Sequence, residues 1–157
     1  MPSYLLGLDV STTGSKALLI DETGRVVESA TNPHPLSTPR PAWSEQDPAD
    51  WWTASVGSIR RVLDAAGLKP DDVAGVGMTG QMHGLVLLDR AGEVLRAAIL
   101  WNHQRTAAQC ASITETVGAE RVLQITGNPV LPGFTAPKIV WVRENEPEVY
   151  ARVARFL

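Results

Sequence analysis

The order of patterns along this chain predicts an α/β domain with a mixed sheet and flanking helices. Short apolar runs bounded by turn residues fill most of the first hundred positions. One long stretch of helical periodicity, starting at Asp47, interrupts them, and helical patterns dominate from Gln104 onward. Strands early and helices late, within one short chain, give layers of helix on sheet.

The first run, residues 4–8, ends at Asp9 and is followed by Ser11-Thr12-Thr13-Gly14-Ser15-Lys16 and a second run, 17–20, which makes a hairpin with a hydroxyl-rich tip. The turn Asp21-Glu22-Thr23-Gly24 and residues 26–30 extend it into a meander. A proline-rich crossing, with Pro33, Pro35, Pro39 and Pro41, leads to Asp47-Pro48, an N-cap followed by proline at the first helical position. Trp52, Val56, Ile59 and Leu63 then repeat at helical spacing and predict the buried face, and Gly67 ends the helix. Residues 73–78 form a short buried strand and 97–101 another. Between them, residues 86–95 repeat the spacing of 18–26: apolar run, Asp, Gly three residues on, Val two later. A second hairpin is expected there, without implying common origin. Helices are expected from 104 to about 117, near 121–125, over 135–144, and from Pro147 on.

A chain of 157 residues with 44% hydrophobic and 20% charged residues can bury a sizeable core as one globular domain. The net charge of −3 and the scattered arginines leave no footprint for nucleic acid. No apolar stretch is long enough to span a bilayer and no leader precedes it, so no membrane partner and a cytoplasmic location are expected. Cys110, the only cysteine, excludes an intrachain disulfide and fits a small buried apolar position.

The chemistry lies in a few short segments. A carboxylate at a strand end, Asp9, can hold a divalent cation, and small residues in a tight turn let backbone N–H groups and the hydroxyls of Ser11, Thr12 and Thr13 approach phosphate oxygens. Lys16 suits a phosphate oxygen as a compact ammonium. An ordinary polar turn and a solvated lysine are the competing readings. Gln81 and His83 carry donors and acceptors that a polar ligand could use, against the alternative of a core histidine. Trp101 can cover an apolar face of a ligand or fill the core. Gly75-Val76-Gly77-Met78-Thr79-Gly80 matches a dinucleotide fingerprint in spacing only, since an apolar strand-like run follows where a helix should open. His83 and His103 lack the further ligands of a zinc site.

Five collinear segments carry a resemblance: residues 9–16, Trp43-Ser44-Glu45-Gln46-Asp47-Pro48, Gly80-Gln81-Met82-His83-Gly84, Leu100-Trp101-Asn102, and Pro132-Gly133-Phe134-Thr135-Ala136-Pro137-Lys138. Together they resemble the FGGY carbohydrate kinases, and the Gln-Met-His-Gly element is similar to the xylulokinase branch. The resemblance implies the ribonuclease-H-like, actin-like ATPase fold, with residues 1–157 as the N-terminal part of the first domain and the rest of that domain and a second domain lying outside. The apolar end at Phe156-Leu157 is expected to reflect truncation. The implied reaction is transfer from ATP, with Mg2+, to D-xylulose, giving D-xylulose 5-phosphate. In it Asp9 is the catalytic metal-holding residue, Ser11, Thr12, Thr13 and Lys16 face phosphate, and Gln81, Met82, His83, Trp101 and Asn102 face the sugar. The catalytic base is expected beyond Leu157, so the fragment alone is expected to be inactive. One departure stands out: the family commonly has Asp where this chain has His103, which removes an anion and leaves a candidate cation. A related kinase for another sugar or polyol, and a non-catalytic sugar-binding module, remain open. Helix faces after Gln104 left without partners make a homodimer another open option.

Overall fold

The computed structural model describes residues 3–157. In chain order the strands are β1 (Tyr4–Val10), β2 (Gly14–Ile20), β3 (Val26–Pro33), β4 (Glu45–Gln46), β5 (Val73–Gly80), β6 (Leu87–Leu88), β7 (Ala98–Ile99) and β8 (Arg155–Phe156). The helices are α1 (Pro48–Ala66), α2 (Ala107–Val117), α3 (Ala119–Thr126), α4 (Thr135–Asn145) and α5 (Pro147–Arg152). These elements fall into two units. The first runs to Leu36 and resumes over Ala49–Gln81; the second takes Ser37–Pro48 and Met82–Leu157. Each has its own core.

In the first unit the sheet order is β3-β2-β1-β5, with β1–β2 and β2–β3 antiparallel and β1–β5 parallel, the mixed sheet the sequence predicts. Alternation along β1 and β2 sends Leu6, Leu8, Ala17 and Leu19 to one face, where Val62 of α1 joins them. The opposite face carries Leu5, Asp9 and Lys16, all exposed.

Helix α1 keeps Leu63 buried and Ile59 against the core, as its periodicity suggests, but its first turns rotate Trp52 outward and serines inward. Trp52 is 74% exposed, and Ala54, Ser55, Ser58, Val62 and Leu63 are buried. The reason is a polar seam between helix and sheet. The Ser58 hydroxyl donates to the Ser15 carbonyl at 2.7 Å and accepts the Asn32 N–H at 3.0 Å, and Ser55 donates to the Ser15 hydroxyl at 3.2 Å. A Cβ on Gly57 would stand 2.2 Å from the Asn32 amide nitrogen. Serine and glycine admit so close an approach and a tryptophan does not. Strand β5, expected to be buried, is an edge strand with Val76 and Met78 mostly exposed, because it pairs on one side only and α1 does not cover it.

The second unit is built on two short antiparallel pairs, β4–β7 and β6–β8, with bridges at Ser37–Glu45 and Leu85–Ile99. Leu85, Leu87 and Ile99 pack with Trp141 and Val142 of α4. The helical pattern expected from Pro147 onward stops at Arg152, and β8 follows. Its backbone completes β6: Ala154 donates to the Leu88 carbonyl at 2.8 Å, and Val86 and Leu157 exchange bonds of 2.8 and 3.0 Å. Arg105, its side chain 1% exposed, stacks 3.7 Å over the Trp43 ring and pairs with Glu45 at 2.5 Å. Arg96 joins Glu45 and also Glu146, at 2.8 Å from the latter, so Glu146 is part of an ion cluster. Cys110 is buried, and burial raises its thiol pKa, in keeping with a packing role.

The repeated spacing becomes a repeated geometry. The Asp21 and Asp89 carboxylates each accept the N–H two and four residues on, at 2.9–3.1 Å. Gly24 and Gly92 adopt φ of 82° and 89° and donate back to the carbonyl of the same aspartate. Only the second copy gives its strand away: β6 pairs chiefly with β8, and Leu88–Val94 is a lone bridge. Among the described residues no helix is long and apolar enough to cross a membrane.

Candidate functional site

The hairpin tip of the first unit holds its own shape. The Ser11 N–H and hydroxyl both donate to the Gly14 carbonyl, at 3.0 and 2.9 Å, closing the turn between β1 and β2. A Cβ on Gly14 would stand 2.8 Å from the Asn32 carbonyl, so the tip lies against β3 only because of glycine. Ser15 turns inward to α1, while Thr13 is exposed. Asp9 and Lys16 are cross-strand partners, and Thr79 of β5 sits on the other side of Asp9 in register. Their side chains therefore share the uncovered face of the sheet.

Gln81 belongs with this tip. Its N–H donates to the Val10 carbonyl at 3.1 Å, its side-chain amide donates to the Ser11 carbonyl at 3.3 Å, and its Oε1 accepts the Thr12 hydroxyl at 3.3 Å. Asp9, Ser11, Thr12, Thr13, Lys16 and Gln81 are thus gathered in the first unit. Met82, His83, Trp101 and Asn102 belong to the second.

In the second unit Met82, His83, Trp101 and Asn102 are all exposed, Met82 by 73% and Trp101 by 50%. Neither the histidine nor the tryptophan is a core residue. His83 has φ of 62°, in the left-handed region that a side chain with Cβ enters at a cost of ~1–2 kcal/mol. Two things hold it there. Its ring lies 4.7 Å from that of Phe134, tilted by 40°. Its carbonyl accepts a hydrogen bond from the ammonium of Lys138 and a longer one, 3.4 Å, from the Thr135 hydroxyl. Lys138 also donates to the Gly133 carbonyl at 2.7 Å. Gly133 in turn lies against Trp101, since a Cβ there would be 2.7 Å from the Trp101 carbonyl oxygen. Consecutive residues of one loop thus touch both His83 and Trp101. An exposed imidazole, an indole face and a thioether in one neighbourhood suit a small polyol, with the ring nitrogens pairing hydroxyls and the apolar groups covering carbon.

His103 is fully buried, and burial first, then the charges of Lys138 and Arg105, lowers its pKa to about 4. It is neutral at pH 7, not the cation its sequence position suggests. Its Nδ1 accepts the Arg105 N–H at 3.1 Å, which assigns the proton to Nε2. Nε2 is buried without a well-formed hydrogen bond, the Pro132 carbonyl being its neighbouring acceptor. Among the described residues no three His, Cys, Asp or Glu side chains cluster as metal ligands.

Lys138 and Phe134 join the His83 neighbourhood although neither stands out in the sequence as a site residue. Lys138 is fully buried, and burial followed by the charge of Arg105 pulls its pKa down to about 8. A signal was present: a lone lysine between Pro137 and the run Ile139-Val140-Trp141-Val142 has no aqueous face to occupy.

Comparison with known proteins gives these features a setting. The model for the FGGY family of carbohydrate kinases, N-terminal domain, matches residues 4–157. A Klebsiella pneumoniae protein named xylulose kinase is 45% identical over 152 residues, 97% of this chain and 31% of its own length. A Bacillus subtilis protein of the same name is 41% identical over 154 residues, 98% of this chain and 31% of that protein. A crystal structure described as a xyloylose kinase from Brucella ovis superposes with a TM-score of 0.90 at 44% identity, covering 98% of this chain and 32% of the other. The chain spans about a third of the length of the relatives it matches.

Proposed function

Because this chain belongs to the FGGY family of carbohydrate kinases, we propose that the whole protein transfers a phosphoryl group from ATP to D-xylulose, giving D-xylulose 5-phosphate. The observation that carries the reading is the exposed Met82-His83 pair in a strained turn beside Trp101, in a chain 41–45% identical to xylulose kinases along nearly its whole length. In this reading residues 1–157 are the N-terminal part of the first domain, and the remainder of that domain and a second domain supply what these residues do not. The protein is cytoplasmic.

His83 donates or accepts a hydrogen bond at a sugar hydroxyl, Trp101 and Met82 cover the carbon side, and Asn102 adds a weaker polar contact. The Ser11–Thr13 tip and Lys16 face phosphate oxygens. Gln81 keeps the tip in shape rather than reaching for sugar, as its bonds to Ser11 and Thr12 support. Asp9 fits Mg2+ as a single exposed carboxylate at a strand end, the donor set this ion takes when water and phosphate complete its shell. When bound, the ion supplies charge neutralisation at the phosphates. The base that accepts the hydroxyl proton is an acidic residue outside this chain, and Asp21 and Asp89, whose carboxylates cap their own turns, do not substitute for it.

The test is ADP release by the whole protein with MgATP and D-xylulose, against glycerol, D-ribulose and no sugar. Turnover highest with D-xylulose is the expected result. Preference for another polyol would move the protein to a different branch of the family, and sugar binding without turnover would make it a binding module.

A further inference from the structure

We propose that Lys138 is a positioning residue for the sugar, which acts by holding the His83 turn and the 133–134 loop at one fixed spacing. The proposal rests on the assignment of His83 and Trp101 to a sugar site. Its own evidence is the use to which a buried charge is put. The lysine is fully buried in the first turn of α4, and among the described residues it forms no salt bridge. Taking an ammonium out of water without a carboxylate is costly, and an unbranched apolar side chain would pack the same space. What the ammonium does that methionine cannot is bridge two carbonyls.

Those carbonyls are the two that matter for the exposed residues. The first belongs to His83, whose left-handed backbone needs an external hold. The second belongs to Gly133, the residue pressed against the Trp101 carbonyl oxygen, and the next residue, Phe134, meets the His83 ring. One Nζ atom therefore fixes the backbone behind the imidazole relative to the backbone behind the indole. Hydrogen bonds to a charged donor are stronger than neutral ones, which suits a hold that must outlast thermal motion of an exposed turn. Neighbouring Arg105 carries only donors, and the one acceptor nitrogen of His103 is taken by the Arg105 N–H.

The test uses Lys138→Met in the whole protein, read by steady-state kinetics, thermal unfolding and amide hydrogen exchange. The expected result is a sugar KM raised about tenfold or more, with kcat and the ATP KM within about twofold of wild type. Exchange at residues 82–85 should quicken while the interior of α4 stays protected. A folded variant with unchanged sugar KM overturns the proposal, even if its melting temperature falls, because that is the signature of a lysine that merely supports the fold. Should Lys138→Met fail to fold, Lys138→Gln, whose amide is one atom shorter and can satisfy one carbonyl without bridging both, decides by the same criterion. A wild-type protein that never turns over D-xylulose would refute the functional reading instead. The exchange at 82–85 would still report on the hold itself, and unchanged exchange there would overturn it.

Discussion

His83 offers a comparison in which two substitutions delete the same imidazole and differ only in backbone freedom. At φ of 62° alanine keeps the strain that histidine bears, and glycine does not. The left-handed region costs a residue with Cβ ~1–2 kcal/mol. Against this, glycine loses ~0.4–1 kcal/mol through the greater entropy of its unfolded chain. Taking the middle of each range, His83→Gly should therefore be more stable than His83→Ala by about 0.8 kcal/mol, both variants having lost the same contact with Phe134. Their sugar chemistry should be alike. Removing the hydrogen bond to a sugar hydroxyl costs ~1–3 kcal/mol, so kcat/KM for D-xylulose should fall roughly 5- to 150-fold in both. Urea unfolding measures the first difference and initial rates at varied D-xylulose the second. Equal stability of the two variants would refute the argument that the surrounding bonds enforce a strained turn. Kinetics left at the wild-type level would refute the sugar contact.

Asp9→Asn in the whole protein should lower kcat on the order of a hundredfold while leaving the D-xylulose Kd by calorimetry near wild type; loss of sugar binding with turnover intact would assign Asp9 to the sugar site. His103 is neutral in the fold down to about pH 4, whereas the unfolded chain protonates it near 6.5. Stability should therefore fall as pH drops from about 6.5 to about 4, by up to ~3 kcal/mol, and His103→Asn should flatten that part of the profile in urea unfolding across this range. An unchanged slope in the variant would contradict the burial argument. Ser58→Ala strips the helix–sheet seam of a donor to Ser15 and an acceptor for Asn32, and should cost ~1–3 kcal/mol by the same measurement; a loss near zero would mean the seam does not depend on that hydroxyl.

The turns show how far local chemistry reaches. Asp21 and Asp89 each meet a glycine three residues later, and a carboxylate that caps the next N–H groups needs nothing from elsewhere in the chain, so both turns were legible. The N-terminal hairpin and its hydroxyl tip were legible for the same reason. Helix α1 was legible as a helix and only partly as a face: apolar spacing found Ile59 and Leu63 but also selected the exposed Trp52, and the fold buries Ser55 and Ser58, whose polarity hides them until Ser15 and Asn32 stand opposite. Strand β8 has no local signature, because its partner, β6, lies some seventy positions earlier in the chain.

The candidate site divides along the same line. By itself the sequence determined the residue types and their order: the Asp9 hairpin, the Gln81-Met82-His83-Gly84 run, Trp101, and the motif segments that identify the family. Tertiary structure alone decided that Gln81 supports the hairpin tip, that His103 is a buried neutral ring, that His83 is left-handed, and that Lys138 is the group holding it. The physical reason is that burial and hydrogen-bond partnership are properties of pairs. A lysine near solvent is an ordinary charge, whereas the same lysine buried in the first turn of α4, fifty-five residues from the carbonyl it binds, must be given an acceptor or not be charged at all.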